Sequence, residues 1–281
     1  MLSKTTDNQW LVVDGLRIRY CRKGKANASP LVLLHGIGGS LEMFQTNIDV
    51  LAKDYDVIAM DFPGFGYSDK PAIRYTMHFQ VLKLKRFLDQ LELDNIYLAG
   101  HSMGGAIAIH FAHLFATRVK KLILICNAGM DKQIHFLLRL SAMPLSNLFL
   151  GLGQVSGISQ MLKNCVYHKR VISPELIRLY QDIFGQHNAN FAFLSQLKSF
   201  VTLFGQEKSF LVSTREKLPQ LIMPTLIIWG NNDQILPVSH ATIAHNSIQN
   251  SVCNYFDNCG HIPQLEKSEQ FNTCIYHFLG T

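Results

Sequence analysis

The sequence alternates short apolar runs with longer helical patterns, and this alternation constrains the fold more than any other feature. The runs are rich in Val, Ile and Leu and are bounded by turn residues, as is typical of strands buried on both faces of a sheet. Because strand, helix and strand in repetition require right-handed crossovers, the pattern predicts an α/β fold with a doubly wound, mostly parallel, eight-stranded sheet. The predicted strands lie near residues 10–13, 17–21, 30–34, 56–60, 95–99, 121–126, 224–229 and 252–256. The predicted helices between them lie near residues 41–52, 76–91, 103–116, 238–246 and 266–279.

The alternation stops after Ala128 and resumes only at Pro224. The intervening stretch contains no convincing strand, and its helical patterns lie at residues 134–142, 174–184 and 190–204. An insertion of this kind between two sheet strands is best explained as a helical cap above the sheet, because its removal leaves a regular α/β pattern. We therefore predict a core of residues 1–130 and 216–281 and a cap of residues 131–215.

The charge of the chain does not indicate a nucleic-acid partner. Twenty-six Lys and Arg against twenty Asp and Glu leave a formal charge of +6. A basic balance can attract nucleic acid or anionic membranes, but here the basic residues are scattered along the chain. We expect ordinary surface charge even in the densest group, which is Arg17, Arg19, Arg22, Lys23 and Lys25.

The six cysteines show neither a Cys-x-x-Cys pair nor the spacing of metal ligands. Several lie inside apolar runs, where a buried free thiol is common, and free thiols favour a reducing compartment. The N-terminal residues lack the apolar segment of a signal peptide. We therefore expect a cytoplasmic protein. The sequence does not predict an oligomeric state.

The most apolar stretch, Phe136 to Leu152, is interrupted by Arg139, Pro144 and Asn147. It is therefore shorter than the roughly 20 uninterrupted apolar residues that a transmembrane helix needs. We expect no transmembrane segment. A lid over an apolar pocket, or a surface that contacts lipid, is compatible with this composition.

The strongest local motif is Gly100-His101-Ser102-Met103-Gly104, which follows a predicted strand and precedes a helical pattern. In that context Gly-x-Ser-x-Gly is a nucleophile elbow, in which the glycines permit a sharp turn and the serine lies strained at its tip. We predict Ser102 as the nucleophile. Because the first backbone N–H groups of a helix are unpaired within it, we predict the N–H of Met103 as an oxyanion donor.

A serine nucleophile needs a histidine to take its proton and a carboxylate to orient that histidine. In an α/β sheet with a nucleophile elbow the order along the chain is Ser, acid, His. Asp233 and His261 follow the last two predicted strands, so both are expected at the carboxyl edge of the sheet with Ser102. We predict Asp233 as the orienting acid and His261 as the general base. Asp131, shortly after the sixth strand, is the alternative acid.

A second oxyanion donor is expected in the loop after the third strand, His35-Gly36-Ile37-Gly38-Gly39. We predict that the backbone N–H of Ile37 is this donor. His35 is expected to brace the loop rather than to take part in catalysis. The turn from Asp61 to Ser68, after the fourth strand, is expected to be structural.

Together these motifs resemble the α/β-hydrolase superfamily over nearly the whole chain. The resemblance includes Trp229-Gly230-Asn231-Asn232-Asp233 and Gly260-His261-Ile262-Pro263. The branches that look most similar are capped carboxylesterases and lipases and the serine-dependent hydrolases of C–C bonds. Epoxide hydrolases and haloalkane dehalogenases carry an aspartate at the elbow, so Ser102 argues against both.

The resemblance to C–C bond hydrolases is incomplete. Those enzymes have Asn before the elbow serine and a Gly-Pro-Gly-type oxyanion loop, where this chain has His101 and Gly38-Gly39-Ser40. They also use a cap arginine for the substrate carboxylate. Arg178 lies near the expected place for that arginine, but Tyr180 aligns closer to it.

The resemblance therefore implies a serine hydrolase that cleaves carboxylic esters of lipophilic small molecules through an acyl-enzyme. Such a reaction requires no metal and no organic cofactor. The main alternatives that stay open are a C–C bond hydrolase of 2-hydroxy-6-oxo-dienoates and a ligand receptor on the hydrolase fold with slow turnover. Acyl transfer, thioester hydrolysis and perhydrolysis would use the same residues and also stay open.

Overall fold

Eight strands form a single sheet in a computed structural model that describes residues 8–25, 27–143 and 155–280. The order across the sheet is β1-β2-β4-β3-β5-β6-β9-β10, which confirms the predicted eight-stranded sheet. The strands are β1 (Gln9–Val13), β2 (Leu16–Lys23), β3 (Pro30–Leu34), β4 (Asp56–Met60), β5 (Ile96–His101), β6 (Val119–Ile125), β9 (Thr225–Gly230) and β10 (Ser251–Phe256).

The sheet begins with a tight hairpin and continues as parallel strands. Asp14 and Gly15 join β1 to β2 with φ angles of 46° and 79°, the left-handed conformation that a two-residue hairpin turn requires. Strand β2 is antiparallel to β4 as well, and all later neighbours in the sheet are parallel. The prediction of a mostly parallel sheet is confirmed.

The strand order reverses direction at β3, which has β4 on one side and β5 on the other. Because crossovers are right-handed, the helices of the two connections lie on opposite faces of the sheet. Loops at the carboxyl ends of strands beside such a reversal form the binding crevice of doubly wound sheets.

The helices are α1 (Gln45–Leu51), α2 (Met77–Gln90), α3 (Met103–Leu114), α4 (Phe136–Ser141), α5 (Val155–Asn164), α6 (Pro174–Gly185), α7 (Ala189–Lys198), α8 (Lys208–Arg215), α9 (Ser239–Ser247), α10 (Pro263–Glu266) and α11 (Ser268–Gly280).

The central strands form the core, as their continuous apolar runs predict. Every residue of β4 and β9 is buried, and α3 is buried along most of its length. The segment that follows Ser102 is therefore packed against the sheet, which fixes the position of the turn before it.

Two predicted helices are divided in the structure. The pattern at 41–52 is a short 3₁₀ helix, Leu41–Phe44, followed by α1. The pattern at 266–279 is interrupted at Lys267, whose φ of −126° and ψ of 48° lie outside the helical region, so that α10 ends before α11 begins.

The region between β6 and β9 contains helices α4 to α8 and a small hairpin of β7 (Val201–Thr202) and β8 (Gly205–Gln206). The prediction that this region has no strand is wrong, and the predicted helix 190–204 ends at Lys198. The hairpin forms because Gly205 has a φ of 128° and because the N–H of Gln206 donates to the carbonyl of Lys132, at 2.8 Å. The predicted cap boundaries at 131 and 215 stay a prediction.

One residue of the basic group near the N-terminus is not surface charge. Arg19 is buried, and its guanidinium lies 2.7 Å from a carboxylate oxygen of Asp61 and 2.7 Å from one of Glu42. The expectation of ordinary surface charge is therefore wrong for Arg19. This buried cluster fastens β2 to the turn after β4, and loss of one partner would leave an uncompensated buried charge.

No helix in the described parts of the chain is long and apolar enough to cross a membrane.

Candidate active site

Ser102 lies at the tip of a tight turn between β5 and α3, with a φ of 54° and a ψ of −115°. A side chain on Gly100 would place its Cβ 2.3 Å from the carbonyl oxygen of Gly104. A side chain on Gly104 would place its Cβ 2.5 Å from the carbonyl oxygen of His35. Both glycines of the motif are therefore required sterically, and the turn has the geometry of a nucleophile elbow.

His261 and Asp233 are joined by a hydrogen bond of 2.7 Å between Nδ1 and Oδ2. The other carboxylate oxygen of Asp233 accepts from the backbone N–H groups of Ile235 and Leu236, at 2.8 and 3.0 Å. Because a carboxylate only accepts, Nδ1 of His261 is the donor and Nε2 can accept a proton. Ser102 and His261 line the same cavity, so the structure brings the predicted serine, histidine and aspartate together.

Asp131, the alternative acid, has a different environment. Its backbone carbonyl accepts a hydrogen bond of 2.6 Å from the side chain of Gln206, at the hairpin β7–β8. The carboxylate that contacts the imidazole of His261 belongs to Asp233. Asp61 also has a structural environment, since its carboxylate accepts from the backbone N–H groups of Leu41 and Tyr67.

The loop that carries Ile37 is braced by His35, as expected. The N–H of Phe62 donates to Nε2 of His35, at 3.1 Å, so that Nδ1 carries the proton and donates to the carbonyl of Gly36, at 2.7 Å. Burial lowers the pKa of His35 to about 4, so the ring is neutral at pH 7. The loop lines the cavity at Ile37. Met103, directly after Ser102, is the first residue of helix α3, and the dipole of that helix favours negative charge at its N-terminus.

The loop that carries His261 is held by contacts that the sequence does not reveal. The backbone N–H of His261 donates to the carbonyl of Cys165, at 2.7 Å, and Nε2 of His101 donates to the carbonyl of His261, at 2.7 Å. Burial lowers the pKa of His101 well below its usual range, so this ring is also neutral.

Glu266 ties the same loop to the segment after α5. One of its carboxylate oxygens accepts from the N–H of Gly260, at 2.7 Å, and from the N–H of Tyr167, at 3.1 Å. The other accepts from the N–H of His168. No spacing motif marks Glu266 in the sequence, because two of its three partners, Tyr167 and His168, lie 99 and 98 residues away along the chain.

The cavity above Ser102 and His261 has a volume of about 240 Å³ and is lined mainly by apolar side chains. Its walls come from the carboxyl edge of the sheet and from helices α4, α5 and α7. Among the described lining residues, none is Lys, Arg, Asp or Glu. The apolar lining includes Ile37, Leu137, Leu138, Met161, Phe193 and Ile262.

The two cap residues considered for binding a substrate carboxylate lie elsewhere. The guanidinium of Arg178 lies 3.0 Å from the carboxylate of Glu175, and 66% of the Arg178 side chain is exposed. Tyr180 is buried, and its hydroxyl lies 3.2 Å from the hydroxyl of Ser40, three residues after Ile37 in the chain. Neither residue lines the cavity.

Cys126 completes a group of potential metal ligands with Asp233 and His261, since one ligand atom of each lies within 4.8 Å of the others. Burial, followed by the charge of Asp233, raises the pKa of the Cys126 thiol well above its usual range. Because only the thiolate binds metals strongly, a thiol held neutral is a poor ligand. We interpret Cys126 as a neutral neighbour of the histidine–aspartate pair.

The chain belongs to the alpha/beta hydrolase fold family, whose model matches residues 29–268. The protein is therefore a hydrolase with a small-molecule substrate. Monoacylglycerol lipase ABHD6 of Mus musculus is 26% identical to it over 97% of this chain and 85% of the relative. The 2-hydroxy-6-oxononadienedioate/2-hydroxy-6-oxononatrienedioate hydrolase of Cupriavidus pinatubonensis is 28% identical over 93% of this chain and 90% of the relative.

Among solved structures, the meta-cleavage product hydrolase CumD of Pseudomonas fluorescens matches this one with a TM-score of 0.82. The match covers 97% of both chains at 24% sequence identity, a level at which the likeness shows the fold alone. The chain is thus similar both to a lipase and to a dienedioate hydrolase, and the names of these two relatives describe different substrates.

Proposed function

We propose that this protein hydrolyses carboxylic esters of lipophilic small molecules through an acyl-enzyme intermediate. The observation that carries the proposal is the 2.7 Å contact between His261 and Asp233 beside Ser102, on the floor of an apolar cavity. A complete serine, histidine and aspartate set favours catalysis over a receptor role, which would need only the cavity.

In the proposed mechanism the hydroxyl oxygen of Ser102 attacks the ester carbonyl while Nε2 of His261 takes the hydroxyl proton. The backbone N–H groups of Ile37 and Met103 stabilise the tetrahedral oxyanion; removal of one such donor typically costs about 10²–10³ in rate. The C–O bond breaks as His261 protonates the leaving alkoxide. Water then attacks the acyl-enzyme with His261 again as the base, which releases the acid and restores Ser102.

The lining of the cavity supports a neutral substrate. A substrate carboxylate buried there would find no Lys or Arg among the described lining residues, and an unpaired buried charge costs several kcal/mol. A volume of about 240 Å³ lies below the roughly 300–1,000 Å³ of typical ligand pockets, which favours short to medium acyl chains.

The second candidate function is cleavage of a C–C bond in a 2-hydroxy-6-oxo-dienoate. The similarity to the Cupriavidus pinatubonensis hydrolase favours it, and the same serine and histidine would serve the reaction. The position of Arg178, on the surface beside Glu175, argues against it because a dienoate carboxylate needs a cation in the cavity.

We also propose a cytoplasmic location. Cys126 and Cys259 are buried free thiols, and free thiols persist in reducing compartments.

The first experiment tests the nucleophile. We expect the purified protein to react covalently with a fluorophosphonate probe and to hydrolyse p-nitrophenyl esters, and we expect Ser102→Ala to lose both activities by a factor of about 10⁴ or more. Circular dichroism should be unchanged, because the smaller side chain fits the same turn. Undiminished ester turnover in the variant would overturn the proposal.

The second experiment distinguishes ester from C–C cleavage on the same preparation. We expect kcat/KM to be higher for neutral p-nitrophenyl esters of short to medium chains than for a 2-hydroxy-6-oxo-dienoate, and Arg178→Ala to change neither value. A dienoate preferred by about tenfold, with Arg178→Ala selectively weakening it, would establish the second candidate instead.

A further inference from the structure

The cap carries an apolar surface on the side that faces away from the cavity. Phe136 and Leu140 of α4 are 57% and 41% exposed, and Leu203 and Phe204 between β7 and β8 are 39% and 84% exposed. We call these four side chains the cap face. The guanidinium of Arg139 donates to the carbonyl of Leu203, at 2.7 Å, so α4 and the hairpin lie side by side.

Packing within the described parts of the chain does not explain these four exposed side chains. Helix α4 already uses Leu137 and Leu138 to line the cavity, so its other apolar residues are not needed to cover it. Single exposed apolar side chains are common on protein surfaces, but a contiguous group marks an interaction site. The cap face therefore needs a partner that takes apolar side chains out of water.

The hairpin presents Phe204 in a fixed position. The N–H of Phe204 donates to the hydroxyl of Thr202, at 3.2 Å, and that hydroxyl donates to the carbonyl of Gly205, at 3.2 Å. The side chain of Gln206 accepts from the N–H of Gly129, at 2.8 Å, which anchors the hairpin to the end of the sheet. Because the backbone at Phe204 is already held in this way, the hairpin loses little conformational entropy when it binds.

The charges beside the cap face are mostly positive. The sequence from residue 132 to residue 174 contains no Asp or Glu. Along the chain, the acidic residue nearest to α4 is Asp131 and the one nearest to the hairpin is Glu207. The carboxylate of Glu207 caps the N-terminus of α8 and accepts a hydrogen bond from the N–H of Phe210. The basic residues adjacent to α4 and to the hairpin along the chain are Lys132, Arg139, Lys198 and Lys208.

We propose that the cap face binds the surface of an anionic phospholipid bilayer. Aromatic and aliphatic side chains surrounded by Lys and Arg are the combination that inserts into the interface between headgroups and acyl chains of such a membrane. The proposal goes beyond the reaction itself, because it concerns where the enzyme meets its substrate. Helix α4 carries Phe136 and Leu140 of the cap face and also lines the cavity with Leu137 and Leu138, so a membrane bound there would lie close to the cavity that contains Ser102.

The test measures co-sedimentation of the purified full-length protein with large vesicles. We expect binding to vesicles of phosphatidylcholine with about 30% phosphatidylglycerol, and weaker binding to phosphatidylcholine alone. Phe204→Glu should lower the partition coefficient about tenfold. Lys132→Gln should lower it about fivefold on the anionic vesicles and leave it unchanged on the neutral ones.

Ile222→Glu is the matched control. Ile222 is 75% exposed and precedes β9, so it lies at the opposite end of the strands from the cap. This variant should bind vesicles within about twofold of the wild type. All three variants should hydrolyse a soluble p-nitrophenyl ester at the rate of the wild type, so that failure of the membrane proposal and failure of the esterase proposal are distinguished.

Two results would overturn the proposal. The first is equal vesicle binding by the wild type and Phe204→Glu. The second is a wild type that does not bind vesicles but forms a dimer that Phe204→Glu dissociates, which would make the cap face an interface between two copies of the chain.

Discussion

The floor and the roof of the cavity are built in different ways. On the floor, the side chains of Ser102, Asp233 and His261 follow three different strands, each is at most 8% exposed, and the aspartate is fixed by three hydrogen bonds. On the roof, α4, α5 and α7 contribute apolar side chains such as Leu137 and Phe193, which pack without directional contacts. We therefore expect the floor to determine the reaction and the roof to determine which molecules reach it.

The largest expected effect belongs to the floor. We predict that Asp233→Asn lowers kcat/KM for p-nitrophenyl esters by about 10³–10⁴, because an amide neither stabilises the protonated imidazole nor holds the correct tautomer. Steady-state kinetics on the folded variant measures this effect.

Asp131→Asn is the matched control, since it makes the same chemical change at the alternative acid. The carboxylate of Asp131 does not contact His261, so kcat/KM should stay within about twofold of the wild type. A severe loss in Asp131→Asn with a normal Asp233→Asn would transfer the acid role to the end of β6.

The difference between the floor and the roof also explains which features of the fold and the site can be predicted from the sequence. The floor lies on strands with continuous apolar runs and in turns where Gly100 and Gly104 have no room for a side chain, and both features leave a local pattern. These patterns therefore predict from the sequence alone that Ser102, Asp233 and His261 lie at one edge of the sheet. Their catalytic roles stay a proposal.

The roof leaves a weaker pattern, because its elements depend on distant contacts. Strands of two residues such as β7 and β8 have no measurable periodicity, and their hairpin is anchored by Gln206 to Gly129, 77 residues earlier. The role of Glu266 cannot be predicted from the sequence for the same reason, since its partner Tyr167 lies 99 residues away. In addition, a Glu in a helical pattern ordinarily faces solvent.

We expect the next largest effect at Glu266, which links the loop of His261 on the floor to the segment after α5 on the roof. We predict that Glu266→Ala lowers the free energy of unfolding by about 3 kcal/mol, because the buried N–H of Gly260 and the partly buried N–H groups of Tyr167 and His168 lose a charged acceptor. We also expect kcat/KM to fall about tenfold, since Gly260 precedes the proposed base. Urea unfolding and ester kinetics measure the two quantities.

Glu269→Ala tests whether the effect is specific to the link. Glu269 is exposed in the first turn of α11, and its removal should change the free energy of unfolding by about 0.5 kcal/mol or less. Equal losses in the two variants would mean that Glu266 acts only as a general surface charge and that the floor does not depend on the roof.

The smallest expected effect concerns His240, in the first turn of helix α9. His240 is fully buried beside Trp229, and neither of its ring nitrogens has a hydrogen-bond partner in the described residues. Burial lowers its pKa to about 4, an effect that the charges of Asp131 and Asp233 oppose. The neutral ring is therefore accommodated in the fold, and the charged ring is not.

The sign of the pH dependence follows from this lowered pKa. Between pH 6.5 and 4 the unfolded chain binds a proton at residue 240 and the folded chain does not, so stability falls as the pH falls through this window. At pH 5 the loss from His240 is about 2 kcal/mol relative to pH 7.5. His35, with a pKa lowered to about 4, contributes a loss of the same direction that remains in any His240 variant.

We therefore predict that His240→Leu reduces the loss of stability between pH 7.5 and pH 5 by about 2 kcal/mol, and is close to neutral at pH 7.5 because an unpaired polar ring is replaced by an apolar side chain. Urea unfolding at the two pH values measures this difference. His277→Gln, which removes an exposed histidine from α11, should leave the loss unchanged. An identical loss in the wild type and in His240→Leu would mean that His240 accepts a proton in the folded state. The buried site beside Trp229 would then tolerate a positive charge, as an exposed site does.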